Sequence, residues 1–156
     1  MYKYYNNNPY NRHIDDCTIR ALSLLTDKSW NEVYDELSDL ANDKGLMFDS
    51  VVFVEDYLDK RYPRECHYSK TIGEFAKEFP YGKYAVTTNG HITAIIDGII
   101  YDTFDPSKRI MRCAWEIIWE VFYLFFCFSI NVRSSEWWNF TFTILLYFLE
   151  VSSLLS

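Results

Sequence analysis

Three observations predict an α+β domain. The first half of the chain repeats its apolar residues every three to four positions and carries helix-start signals. From Lys83 the period changes to two, and tight-turn dipeptides separate short runs rich in β-branched and aromatic residues. The third is size: 156 residues, 49% of them hydrophobic, can enclose one continuous core without disulfides or a structural metal.

Residues 1–14 are polar and rich in Asn and Tyr, and read as an irregular lead-in with Asn6-Asn7-Asn8-Pro9 as a turn. A helix is expected from Asp15-Asp16, whose carboxylates can cap free backbone N–H groups, with Ile19, Leu22 and Leu25 facing a core. Ser29 and Glu32 form a capping-box pair that opens a second helix, with Val33, Leu37 and Leu40 at core spacing. A third helix is expected over about 48–60, and a short fourth from Thr71-Ile72 to before Pro80. Lys83–Thr88, His91–Ile96 and Ile99–Phe104 then form an antiparallel meander, because Asn89-Gly90 and Asp97-Gly98 accept the positive φ of two-residue turns.

The domain is expected to span residues 1–112, leaving 113–156 as an aromatic-rich hydrophobic tail. Within it, 114–129 fits an amphipathic helix, and Trp138, Phe140, Phe142 and Ile144 alternate with polar residues as a strand does. The uncharged runs Val121–Val132 and Trp137–Leu149 fall short of the roughly 20 residues that span a bilayer. The tail is read as packing on the domain or on a second copy of the chain, with membrane association as the alternative.

A net charge of −7, spread along the chain, excludes a phosphate-binding face, and no nucleic-acid partner is expected. The best basic cluster, Lys60, Arg61 and Arg64, reads as a solvated helix end. The cysteines at 17, 66, 113 and 127 contain no closely paired ligands, so no metal or other cofactor is expected, and Cys66-His67 reads as two loop residues. The N-terminus lacks the basic and apolar regions of a secretory signal, which predicts free thiols in a reducing cytoplasm.

Chemistry concentrates at three positions. A thiol attacks a carbonyl carbon as thiolate, and a helix N-terminus lowers its pKa; Cys17 falls in the first turn of the expected helix. His91 opens a strand after a tight turn and can act as general base. Asp102 and Asp105 lie on or just past the next strand. Pairing Ile96 with Ile99 puts Thr93 opposite Asp102, so Asp102 shares a face with His91, and Asp105 has the opposite parity.

The strings Asp16-Cys17-Thr18-Ile19-Arg20-Ala21-Leu22, Tyr84-Ala85-Val86-Thr87-Thr88-Asn89-Gly90-His91-Ile92-Thr93-Ala94-Ile95-Ile96 and Tyr101-Asp102-Thr103-Phe104-Asp105 resemble small papain-like cysteine peptidase domains. The nearest pattern is the bacteriocin-processing type and similar small proteins carried by bacteriophages. The resemblance covers roughly residues 5–107. It implies a papain-like fold, a helical half carrying the Cys followed by a meander carrying His and Asp. It also implies an amide hydrolase acting on a peptide or protein through a Cys17 thioester. That family often has a Gln six residues before the Cys to bind the oxyanion; here Asn11 holds the position, and Thr18 stands where a Gly is common after the nucleophile. Two other functions are compatible with the sequence: a catalytically silent binding protein on the same fold, such as a phage-encoded inhibitor of a host system, and a membrane-associated accessory protein. Deamidase or transferase chemistry on the same thiol is also open.

Overall fold

The computed structural model describes residues 1–12, 14–67 and 69–118, and one compact unit spans Met1–Ile118. Its elements in chain order are β1 (Tyr2–Tyr4), α1 (Cys17–Thr26), α2 (Trp30–Asp43), α3 (Val51–Asp59), β2 (Arg64–Cys66), α4 (Ile72–Glu78), β3 (Lys83–Thr88), β4 (His91–Ile96), β5 (Ile99–Asp102) and β6 (Cys113–Glu116). The fold is mixed α+β. Its six strands form one sheet in the order β1-β5-β4-β3-β6-β2, parallel where β1 meets β5 and antiparallel elsewhere.

Local chemistry sets the boundaries. Ser29 accepts from the Glu32 N–H while Glu32 accepts from the Ser29 N–H, and Thr71 and Glu74 repeat the arrangement at α4. The meander turns at the two expected dipeptides. Asp97 and Gly98 both have positive φ, and a Cβ at Gly98 would meet the Ala76 carbonyl at 2.9 Å, so only glycine fits against α4. At the other turn Gly90, not Asn89, takes the left-handed conformation.

Alternation along the strands divides the core between the two faces of the sheet. Ala85, Ile92, Ala94 and Trp115 pack with α1, α2 and α3; Val86, Ile95, Ile100 and Ala114 pack with Ile72, Phe75 and Ala76 of α4.

Four expectations change. The lead-in is not wholly irregular: Tyr2–Tyr4 add a parallel edge strand to β5. The third meander strand stops at Asp102, two residues early, because the Asp102 carboxylate accepts from the Thr103 N–H and the chain bends. Residues 113–116 are a strand between β3 and β2, not the start of a helix, so the domain continues past residue 112. Finally, Cys66 lies opposite Cys113 across β2 and β6, Cα atoms 3.9 Å apart, and the two form a disulfide. The expectation of free thiols therefore fails for this pair, and the cysteines no longer argue for a reducing compartment. Cys17 is the free cysteine among the described residues. The expected tail helix beyond Ile118, the 138–144 strand and Cys127 lie outside the described residues.

The basic cluster is locally paired. Lys60 meets Asp56 at 2.9 Å, Arg64 meets Asp59 at 3.0 Å, and the Arg61 guanidinium lies 3.9 Å from the Tyr57 ring centroid. No helix among the described residues is long and apolar enough to cross a membrane.

Candidate active site

Helix α1 begins at Cys17 because Asp16 is its N-cap, and its first internal bond runs from the Arg20 N–H to the Asp16 carbonyl. The Asp16 side chain makes no capping bond. Instead its carboxylate pairs with the Arg20 guanidinium one turn on, and its Oδ2 accepts from Asn8 Nδ2 and Trp30 Nε1, each at 3.0 Å. The leading amides of α1 are thus left without an acidic side chain over them, and their partial positive charge acts next to the Cys17 thiol.

Cys17 is half-buried and packs against the core face that α1 covers. Burial pushes its thiol pKa up. A hydrogen bond with the His91 side chain, the Ile92 backbone N–H and the His91 charge outweigh burial and hold the thiol below its ordinary value.

His91 opens β4, and its Nε2 lies 2.6 Å from Asp102 Oδ2 on β5. The ring packs against Phe104, centroids 4.8 Å apart. Burial pulls the His91 pKa down, but bonds to Asp102 and Cys17 and their negative charges push it up to about 9. The two shifts run in the directions that favour a thiolate at Cys17 beside a protonated His91.

Asp102 is 4% exposed. Its two carboxylate oxygens have separate duties: Oδ2 meets His91, while Oδ1 accepts from the Thr103 N–H at 2.7 Å and faces Arg20 Nη2 at 3.8 Å. The observed pairs Ile96↔Ile99, Ile95↔Ile100 and Ala94↔Tyr101 carry the register that places Asp102 diagonal to His91. Asp105 is exposed and accepts from the Ser107 N–H at 2.9 Å, away from His91. Strand β1, which the sequence did not signal, closes over the Asp102 backbone: its register sets Tyr4 beside Asp102, and the Asp102 carbonyl accepts from the Tyr5 N–H at 2.8 Å.

A cleft of about 90 Å³ opens beside Cys17 and His91. Val51, Val54 and Glu55 of α3 line it with Thr87, Gly90 and Arg112, whose guanidinium lies 3.4 Å from the Glu55 carboxylate. Thr18, directly after Cys17, also lines it. Asn11 does not. It is exposed, has φ 50°, and donates its backbone N–H to the Asn8 carbonyl. The loop turns outward there because Asn8 Oδ1 accepts from the Tyr10 N–H at 3.0 Å, and the buried amide of the loop is Asn8, committed to Asp16. The Cys17 N–H, at the first helical position, has no acceptor within the helix.

Sequence reasoning missed Arg20, Asp16, Asn8 and Trp30 as parts of this site. The signal was present for two of them: Asp16 and Arg20 are four residues apart and share a helix face. Set against family models, curated proteins and solved structures, the chain matches none of them.

Proposed function

We propose that the chain is a papain-like cysteine hydrolase that cleaves an amide in a peptide or protein. The observation that carries this reading is the buried 2.6 Å contact of His91 with Asp102, on an imidazole that lines the same cleft as Cys17 and holds its thiol pKa down. The Cys17 thiolate attacks the carbonyl carbon, and the resulting oxyanion is met by the amides at the start of α1. Collapse expels the amine, which takes the His91 proton. Water then attacks the thioester with His91 as base, releasing the acid and restoring the thiol. Asn11, standing outside the cleft, favours a second reading in which the same fold binds a partner without turnover.

Limited iodoacetamide treatment followed by peptide mapping tests the site. Cys17 is expected to be modified first, with a pH midpoint below that of a free thiol. Cys17→Ala is expected to abolish cleavage of a peptide library while leaving the fold intact. A Cys17 that reacts as an ordinary buried thiol would overturn the reading. Fast labelling without any turnover would favour the silent binding protein.

A further inference from the structure

We propose that Arg20 is a positioning residue for the Cys17–His91 pair: its buried guanidinium ties Asp102 on β5 to Asp16 beside the nucleophile and holds the Asp102 carboxylate in the plane that His91 needs. This rests on the reading of Cys17 as a thiolate nucleophile and adds what keeps the relay in register.

The geometry is specific. Arg20 is 6% exposed, on a helix whose opposite neighbour at the site is the end of a strand far away in sequence. One arm of its fork, Nη1, pairs with Asp16 and donates to the Ile14 carbonyl at 3.3 Å; the other, Nη2, donates to Thr103 Oγ1 at 3.4 Å and faces Asp102 Oδ1 at 3.8 Å. The guanidinium therefore spans the start of α1, which carries Cys17, and the end of β5, which carries the carboxylate that meets His91. Its planar fork addresses two acids at once, which a point-charge ammonium does not. The Asp102 oxygen that Arg20 faces is not the one that binds His91, so Arg20 does not compete with the imidazole. The other charged or titratable groups acting on Arg20 are Asp15 and Tyr4; those acting on His91 are Asp102 and Cys17.

A counter-charge and a positioning residue make opposite predictions. Arg20 as charge alone repels the His91 imidazolium, so its removal raises the His91 titration. Arg20 as anchor keeps Asp102 on His91, so its loss lets the carboxylate turn and the His91 titration falls. The experiment compares wild type, Arg20→Lys and Arg20→Met, reading His91 by imidazole NMR and Cys17 by the pH midpoint of alkylation. Both variants are expected to lower the His91 midpoint and raise the Cys17 midpoint, each by about one pH unit. In an Asp102→Asn background Arg20→Lys is expected to shift neither, because the residue it acts through is gone. Unchanged midpoints in Arg20→Lys, a rise at His91 in Arg20→Met, or equal shifts in the Asp102→Asn background would overturn the proposal, even if thermal stability falls. If wild type itself shows an ordinary imidazole and an ordinary thiol, the hydrolase reading fails instead.

Discussion

Replacing Asp102 by Asn separates the two carboxylates that the sequence offers for orienting His91. The substitution keeps the shape and removes the charge at a residue 4% exposed. An Asn side-chain oxygen can still accept from the Thr103 N–H, and Arg20 keeps Asp16, so the Arg20 guanidinium is not orphaned. What is lost is the charge-assisted bond of 2.6 Å to His91, about 1.5–3 kcal/mol for an interaction of this kind. The sign with pH follows from the direction of the shift. His91 is raised in the folded state, so the stability it contributes is complete below its ordinary value near 6.5 and is lost as pH rises through about 9. The difference in Tm between wild type and Asp102→Asn is therefore expected to be largest near pH 6 and to shrink between pH 7 and 10. Turnover, or Cys17 alkylation where no substrate is in hand, is expected to fall by roughly 10²–10⁴-fold through a mis-set imidazole, by analogy with the triad template. Asp105→Asn, an exposed carboxylate on Ser107, is expected to change both readouts little. A damaging Asp105→Asn beside a silent Asp102→Asn would refute the register argument.

Truncation gives a second expectation. A 1–118 chain should unfold cooperatively in urea, whereas 1–112 should aggregate, because it loses strand β6 from between β3 and β2 together with Trp115, which is fully buried and donates to Asp59 at 2.8 Å. Loss of a buried Trp side chain alone costs about 3–5 kcal/mol, a large share of the roughly 5–15 kcal/mol that holds a small domain; equal cooperativity of the two fragments would refute this. Alkylation of denatured, unreduced protein should leave Cys66 and Cys113 unlabelled, and reduction should lower stability by about 2–4 kcal/mol. Labelling of both without reductant would show that the pair is not oxidised.

Much of this fold was legible because its signals are local. The Ser29 and Glu32 pair fixes the start of α2 by itself. The meander follows from two turn dipeptides, and counting parity outward from Asp97-Gly98 was enough to prefer Asp102 to Asp105. Strands β1 and β6 were not legible, for different reasons. β1 is three residues long, lies at an edge and pairs in parallel with β5, which leaves no alternation to read. β6 is buried at Cys113, Ala114 and Trp115, and a short run buried on both sides has no period that distinguishes it from a helix turn. The disulfide depended on β6, so missing one meant missing the other; spacing alone does not fix which cysteines pair.

Asp16 shows why the second half of the site stayed hidden. An Asp before a helix normally caps it, and forgoing that bond costs about 1 kcal/mol. Here the side chain is turned away and held by Arg20, Asn8 and Trp30, three partners from three parts of the chain. A capping carboxylate over the first amides of α1 would neutralise the partial positive charge that favours a thiolate at Cys17, and would occupy the N–H groups that an oxyanion needs. Diverting Asp16 leaves both available, and the same contact carries Arg20 to Asp102. On the proposed function, the departure from the local rule falls at the reacting thiol, as expected when a site trades local stability for reactivity.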